Sequence, residues 1–278
     1  YYYKYQLCDI TGNCLLSACS NFTTEASYDS CGRSCTTYLD PMEDRSKTKQ
    51  LKLNQEIIAA SQDFIGTTLL TALDKTLGQL CRLEIEPSDR NVINVAYPAA
   101  FQAGYLRPEI KLEVGPLAIW VPNAEYQITS YAAEEFPKVF ETPTCTVKAI
   151  KAERTFWEKA TILHQEAHRA ESSPQPPRYS RHYYDMAMLA GSDVAENAIT
   201  DLDLLKSVVD SKIRFYPRPW ARYDLAKPGT LRLLPPKHLI DSLRRDYVQM
   251  KGMIFGRYPE FDEIFETLGD LEKKVQSV

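Results

Sequence analysis

The chain has 278 residues, of which 44% are hydrophobic and 25% charged, a balance typical of a globular protein with one large or two modest domains. Its formal net charge of -4 argues against coating nucleic acid by bulk electrostatics, so any such contact needs a local basic patch. No apolar run approaches the roughly 20 residues that span a bilayer, and no signal-peptide pattern opens the chain. We therefore expect a cytoplasmic protein with no membrane contact.

Residues 1–41 differ in composition from the rest of the chain. They are rich in Tyr, Cys, Ser and Thr, poor in charge, and lack a sustained period of 3.6 or 2 residues. We predict an irregular or foreign segment. This segment contains five cysteines, an odd number without Cys-x-x-Cys spacing: Cys8, Cys14, Cys19, Cys31 and Cys35. A disulfide module and a zinc site are therefore weaker alternatives.

The pattern turns helical from Glu43 to Gln79, with Gly66 as a candidate break. Three segments of β-type alternation follow, and we expect them to form one sheet that starts with a hairpin: Cys81–Glu86, Val92–Tyr97 and Glu109–Val114. In the third, Ile110, Leu112 and Val114 share one face. Further strands are predicted at Tyr126–Tyr131 and Cys145–Val147.

The remainder is mainly helical. A long helix carries Arg154 and Lys159, a Pro-rich loop covers residues 172–177, and four further helical segments follow: Tyr179–Ala190, Asp201–Arg214, Pro236–Met253 and Pro259–Val275. A sheet region followed by helices predicts an α+β fold with a helical carboxy-terminal subdomain. We place the domain boundaries so that residues 42–148 form an α/β region and residues 149–278 the helical subdomain.

One local basic patch stands out in this acidic chain. From Lys148 to His182 there are seven Lys or Arg against four acids, a local excess of 7 − 4 = +3. Lys159 and Asp185 lie within or just beyond it, and a lysine ammonium can neutralise phosphate charge while a carboxylate orients it. The alternative is a solvated helix face with no ligand.

Two other patterns have structural and functional interpretations. His164 and His168 are four residues apart, which suits a helical zinc site, but Gln165 stands where zinc proteases need Glu. We therefore favour either a contribution to an anion-facing surface or hydrogen bonding within the subdomain. Gly191-Ser192 precedes Asp201-Leu202-Asp203, a superficial match to paired metal-binding acids on a strand. The helical spacing after Asp203 instead predicts both acids in a first helical turn.

Several motifs together resemble the AbiEii/AbiGii-type toxin family of nucleotidyltransferases from about residue 43 onward. They are Arg154-Thr-Phe-Trp-Glu-Lys-Ala-Thr-Ile-Leu-His, Ser180-Arg-His-Tyr-Tyr-Asp-Met-Ala-Met-Leu, Ile110-Lys-Leu-Glu-Val-Gly and Met253-Ile-Phe-Gly. The resemblance implies a polymerase-β-like nucleotidyltransferase mixed sheet. It also implies transfer of a nucleotide from an NTP to an RNA acceptor such as tRNA, with Mg²⁺, and a cognate DNA-binding antitoxin.

The same resemblance assigns site residues. Lys159 matches the phosphate-binding lysine of the family and Asp185 its later essential aspartate, and we expect both in one pocket beside the sheet. Arg154, Arg178, Arg181 and His182 surround them and are predicted to bind the nucleotide. Glu113 lies in the matching strand motif and is our candidate metal ligand, although a lone acid on a strand is also typical of solvated surface.

The family pattern also includes a Gly-Gly-Thr/Ser-x-Leu-Ser-Lys turn and an Arg-Phe-Ser-Glu-Asp-Ile-Asp segment. Residues 1–42 contain neither, so we expect the metal-binding half of the site to be missing and the activity of this chain to be reduced. Two alternatives follow. The chain is a catalytically inactive module that binds nucleotide, RNA or antitoxin, or it is a remnant whose first 41 residues do not pack.

Overall fold

The computed structural model describes residues 43–100, 108–254 and 256–278. The predicted foreign segment, residues 1–41, therefore lies outside the described residues. The described chain divides near residue 120 into two compact units, an amino-terminal unit (residues 43–119) and a carboxy-terminal unit (residues 120–278). Within these ranges no helix combines the length and the apolar character needed to cross a bilayer.

The amino-terminal unit packs one long helical segment against a small sheet. Helix α1 (Lys47–Phe64) continues through a π-helical turn (Ile65–Leu69) into helix α2 (Leu70–Leu77) without a break at Gly66. Its buried side chains Ile65 and Leu69 are fully enclosed and meet Ile93 of the sheet. Each such side chain contributes about 1.5–3 kcal/mol by leaving water. The helical period predicted this segment correctly.

The sheet of this unit is antiparallel, in the order β1 (Arg82–Ile85), β2 (Val92–Ala96) and β3 (Glu109–Glu113). The predicted hairpin and third strand are confirmed, with Ile85 opposite Ile93 and Leu112 also opposite Ile93. Leu112 and Val114 pack on the core, as the alternation predicts, whereas Ile110 is 55% exposed. Ile110 lies on the edge strand opposite Val95.

The carboxy-terminal unit begins with a two-stranded antiparallel ribbon, β4 (Asn123–Thr129) and β5 (Thr144–Ile150). The predicted strand at Tyr126–Tyr131 is therefore shifted toward the amino terminus. It ends there because Ser130 caps the short helix α3 (Tyr131–Glu135), its Oγ accepting from the backbone N–H of Ala133 at 3.1 Å.

This ribbon differs from the sheet that the sequence predicts. Within the described ranges every strand pair is antiparallel and the strands form two separate sheets, so the expected mixed sheet is not what these residues form. The expected boundary after residue 148 falls inside β5, because seven residues of β5 pair with β4 and the ribbon is grouped with the helices. The mixture of helices and small sheets agrees with the α+β class.

The helices of this unit enclose one core around α4. They are α4 (Ala152–Ala167), α5 (Ser180–Ala190), α6 (Asp193–Thr200), α7 (Leu202–Phe215), α8 (Ile240–Gln249) and α9 (Phe261–Gln276). Helix α4 packs against α5, α6 and α7, and its Phe156 and Trp157 are fully buried. The four predicted helical segments are confirmed with small shifts at their ends, while α6 is absent from the sequence-based prediction.

Candidate functional site

Helix α4 presents Lys159 at the border of the core. Phe156, Ala160 and Leu163 recur on its buried face, and the Trp157 indole N–H donates to the carbonyl of Ala198 at 3.1 Å, which fixes the rotation of the helix. Lys159 lies beside this face, and its side chain keeps 12% of its exposure. Its stem is therefore packed while its ammonium reaches the surface.

Helix α5 carries the acidic partner and is fixed at its start by another helix. The carboxylate of Asp246, on α8, accepts from the backbone N–H of Arg178 at 2.8 Å and from that of Ser180 at 2.9 Å. A helix start leaves such N–H groups without intrahelical partners, so Asp246 serves as a cap supplied by tertiary structure. The cap therefore also positions His182 and Asp185, which follow Ser180 by two and five residues on the same helix.

Lys159, His182 and Asp185 meet between α4 and α5. The Lys159 Nζ donates to Asp185 Oδ2 at 2.5 Å and lies 3.3 Å from His182 Nδ1. The two side chains thus meet in the structure, and the shared pocket beside the sheet stays a prediction. An ammonium has three N–H bonds, and its contacts with the described residues use two of them, which leaves the third without a partner in that part of the chain.

His182 completes this cluster as a neutral acceptor. Burial, together with the positive charges of Lys159, Arg181 and Lys212, lowers its pKa to about 3. A neutral imidazole ring can accept a hydrogen bond at only one of its two nitrogens. Since Nδ1 faces the Lys159 ammonium, we assign the ring proton to Nε2.

Arg154 does not belong to this cluster. Its side chain is almost fully buried, its Nε bonds Glu158 Oε1 at 3.2 Å, and its NH1 donates to the carbonyl of Val121 at 2.7 Å. These contacts attach α4 to the chain just before β4. The predicted nucleotide-binding role of Arg154 is therefore not supported, because its guanidinium is occupied inside the protein.

The remaining predicted site residues occupy different places. Arg181 is half-buried in the first turn of α5 next to His182, and Arg178 is exposed just before that helix with a positive φ of 64°. Glu113 is exposed at the end of the edge strand β3 in the amino-terminal unit. Leu112, the preceding residue, packs on the core, and the Glu113 side chain points to the opposite face of the strand, as the alternation predicts.

His164 and His168 have structural roles. His164 is fully buried, with Nε2 2.9 Å from the carbonyl of Arg222 and Nδ1 accepting from the backbone N–H of Arg232 at 3.0 Å. Burial lowers the pKa of His164 to about 4, so the ring is neutral, with its proton on Nε2. His168 Nδ1 lies 2.8 Å from the carbonyl of His164. Both rings are engaged with backbone groups, as the hydrogen-bonding interpretation predicted, rather than with a metal.

The Asp201-Leu202-Asp203 pattern is also structural. Asp201 is the N-cap of α7, where its Oδ1 accepts from the backbone N–H of Leu204 at 3.0 Å, and Asp203 lies in the first turn. Both acids thus meet the positive end of the helix dipole. The superficial match to strand-borne metal ligands is wrong, and the helical interpretation is confirmed.

Comparison with known families identifies the chain. The family model described as the AbiEii nucleotidyl transferase toxin of type IV toxin–antitoxin systems matches residues 46–267. The chain belongs to this AbiEii family. The match covers both compact units and every predicted site residue, and membership implies an antitoxin partner. No curated protein and no solved structure matches the chain.

The AbiEii resemblance implied magnesium, and the described residues can be tested for ligands. Magnesium sites in phosphoryl transfer use oxygen ligands, commonly more than one carboxylate together with substrate phosphates. In the described ranges no three His, Cys, Asp or Glu side chains come close enough together to hold a metal ion. Asp185 is bound to Lys159 instead. The described part of the AbiEii site does not fit the ion by itself.

A buried polar network beside the site has no counterpart in the sequence-based prediction. Glu166 is fully buried and accepts from Arg169 at 2.6 and 2.9 Å, from Gln165 at 3.0 Å and from Gln175 at 3.0 Å. This contact ties the Pro-rich loop, through Gln175, to α4. Glu166 and Arg169, three residues apart at the end of α4, are a weak signal in the sequence, because such pairs are usually exposed.

Proposed function

We propose that this AbiEii-family chain binds a nucleoside triphosphate at Lys159 and transfers its nucleotide to the 3′ end of an RNA acceptor, such as tRNA, in the cytoplasm. The observation that carries the proposal is the contact of the Lys159 ammonium with Asp185 and His182 in a chain of this family. The polymerase-β-like fold and the DNA-binding character of the antitoxin remain part of the proposal.

Lys159 is assigned to the triphosphate. Its ammonium is held by Asp185 and by a neutral His182, so its position is set before a ligand arrives. A fixed cation stabilises the negative charge that develops on phosphate oxygens more strongly than one that must reorganise. Arg181 and Lys212 add positive charge around the same histidine. This is a phosphate-binding environment within an acidic chain.

Asp185 is assigned two tasks. Its Oδ2 holds the Lys159 ammonium, and its Oδ1 has no hydrogen-bond partner among the residues that the structure describes. In the transfer step the RNA 3′ oxygen bonds the α-phosphorus, and the bond to the leaving pyrophosphate breaks. Asp185 Oδ1 is the acceptor for the proton of the attacking hydroxyl, a role that contributes roughly 10²–10⁴-fold in rate.

Magnesium remains part of the proposal through the family, but no step is assigned to it. The described residues provide no ligand set, and residues 1–42 contain neither of the two segments that supply it in the family pattern. The chemistry attributed to this chain is therefore limited to binding the triphosphate, orienting Lys159 and accepting the proton.

The test uses a matched lysine. Lys206 forms an exposed ion pair with Asp210 at 2.6 Å on α7. This is a Lys–Asp pair like that of Lys159 and Asp185, but without a neighbouring histidine in the contact. We expect Lys159→Ala to weaken binding of a fluorescent ATP analogue at least about tenfold, and Lys206→Ala to leave it unchanged. Equal affinity of wild type and Lys159→Ala would remove Lys159 from the site.

Transfer is measured separately with radiolabelled NTPs, Mg²⁺ and RNA that ends in a free 3′ hydroxyl. Incorporation that depends on Lys159 and Asp185 supports the enzyme. Triphosphate binding that depends on Lys159 without any incorporation supports instead the inactive binding module.

A further inference from the structure

Residues 212–222 form a basic and aromatic segment along helix α4. The segment has four Lys or Arg and no acid, in a chain with a net charge of -4. It comprises the end of α7 and the 3₁₀ turn Pro219–Ala221. Two aromatic side chains within it are partly open to solvent, Tyr216 with 40% and Trp220 with 37% exposure.

One end of this segment is at the proposed site. Lys212 contributes to the lowered pKa of His182, and its Nζ lies 5.5 Å from the centre of the Tyr216 ring. Glu158, the neighbour of Lys159 on α4, acts on the Tyr216 hydroxyl, whose pKa is raised mainly by burial. The first residues of the segment belong to α7, which packs against α4, the helix that carries Lys159.

The other end lies further along α4. The carbonyl of Arg222 is 2.9 Å from His164 Nε2, and the Arg169 guanidinium is 4.8 Å from the centre of the Trp220 ring. From residue 159 to residue 164 a helix rises about 7.5 Å. That length corresponds to roughly two nucleotides at the spacing of stacked bases.

The backbone of the segment is fixed. Phe215 and Ala221 are buried and anchor it, while the Tyr223 hydroxyl just beyond donates to Gln165 Oε1 at 2.8 Å. Arg222 has a positive φ of 48°, which costs a non-glycine residue stability and is held here by the His164 contact. A fixed surface loses little conformational entropy when it binds a ligand.

We infer that residues 212–222 bind the single-stranded 3′ end of the RNA acceptor, with Tyr216 and Trp220 stacking on bases and Arg218 contacting the phosphate backbone. Proteins bind single strands by combining cations with aromatic rings on which unpaired bases stack. An acidic protein surface offers charge but no bases to stack, so the exposed aromatics favour RNA. This inference rests on the proposed function, which supplies the RNA acceptor.

The experiment measures binding of a fluorescein-labelled single-stranded RNA to the full chain by anisotropy, without NTP. We expect Trp220→Ala to weaken binding about tenfold, since one stacked base is lost, and Trp220→Phe to restore part of it. Tyr131→Ala is the matched control, because Tyr131 is an aromatic residue that is 68% exposed on α3 and is not part of this segment. It should bind as tightly as the wild type.

A charge reversal tests the phosphate contacts without touching the core. Arg218 is exposed, and Arg218→Glu should weaken binding and lower the salt dependence, with a slope change of about 0.7 or more per lost phosphate contact. Lys273 on α9 has 80% of its side chain exposed, and Lys273→Glu makes the same charge change elsewhere. It should leave the slope nearly unchanged.

The outcomes separate this inference from the proposed function. Equal losses in Arg218→Glu and Lys273→Glu, or equal competition by poly-glutamate, would overturn the RNA surface. So would unchanged binding by Tyr216→Ala and Trp220→Ala proteins that melt like the wild type. If RNA binding depends on Trp220 and Arg218 while Lys159→Ala leaves the NTP affinity unchanged, the RNA surface is upheld and the proposed triphosphate site is refuted.

Discussion

The carboxylate of Asp246 on α8 holds Ser180, the first residue of α5, by two hydrogen bonds. Asp246 Oδ2 accepts from the Ser180 backbone N–H at 2.9 Å and from its hydroxyl at 2.6 Å. Ser180 is buried, with 2% of its surface exposed. The start of α5 is therefore set by α8, and with it the positions of His182 and Asp185.

Asp246→Ala should lower the free energy of unfolding by about 1–3 kcal/mol, because it leaves the Ser180 donors buried without an acceptor. It should also weaken triphosphate binding, since α5 carries two members of the Lys159 cluster. Urea unfolding and nucleotide titration measure both effects. Asp270→Ala, which removes a 79% exposed acid on α9, should change neither. A stability change in Asp246→Ala below about 0.5 kcal/mol would contradict the capping role.

Asp185→Asn should separate binding from transfer. The amide keeps an oxygen for the Lys159 ammonium but loses the negative charge and the proton acceptor, so triphosphate affinity should be unchanged or higher while turnover falls roughly 10²–10⁴-fold. Single-turnover incorporation and nucleotide titration give the two quantities. Equal losses of affinity and rate would show that Asp185 acts only by holding the fold.

The stability of the protein should fall on mild acidification. The pKa values of buried His164 and His182 are lowered to about 4 and about 3, below the 6.5 of the unfolded chain. Their contribution is therefore present above pH 6.5 and is lost as the pH falls toward those values. Each adds a slope of up to about 1.4 kcal/mol per pH unit. Urea unfolding between pH 7 and 5 measures the slope.

His182→Gln should flatten this dependence, whereas His238→Gln, at an exposed position, should leave it as in the wild type. Since Lys159 donates toward His182 Nδ1, protonating that ring places two cations in contact. An identical slope in wild type and His182→Gln would show that His182 is not held neutral in the folded protein.

Glu166→Ala should destabilise the protein by about 3–5 kcal/mol, because it leaves the Arg169 charge in a buried setting without its partner. A double variant, Glu166→Leu with Arg169→Met, should lose less than the sum of the single changes, since neither charge is then left alone. Glu266→Ala on the exposed face of α9 is the control. Additive losses in the double variant would contradict a coupled pair.

Local periodicity accounted for most of the elements. The hairpin around residues 87–90, the third strand and the helices α4, α5, α7, α8 and α9 follow from alternation or from the 3.6-residue repeat. Helix α6 was not predicted, because its eight residues lie between a glycine turn and the stronger pattern of α7. The pairing of β4 with β5 as a separate ribbon also escaped prediction, since strand composition does not encode a partner.

Within the site, residue type and family motif singled out Lys159 and Asp185, but sequence alone left open whether they are surface charges. Arg154 shows the opposite case. It belongs to the same motif and the same basic patch, and yet its guanidinium is enclosed by Glu158 and the carbonyl of Val121. The Lys212 to Arg222 stretch also carries a signal in its sequence, because four cations alternate with aromatic residues and no acid is present. This pattern was not among the predicted sites, which were based on paired acids, histidines and the family motifs.

The amino-acid sequence by itself determined the α+β class, the helical carboxy-terminal half and the family, because periodicity and long motifs are local properties of the chain. Only the tertiary structure decided which cations are available to a ligand. The reason is geometric, since helix packing turns Lys159 toward Asp185 and His182 and encloses Arg154 five residues earlier on the same helix.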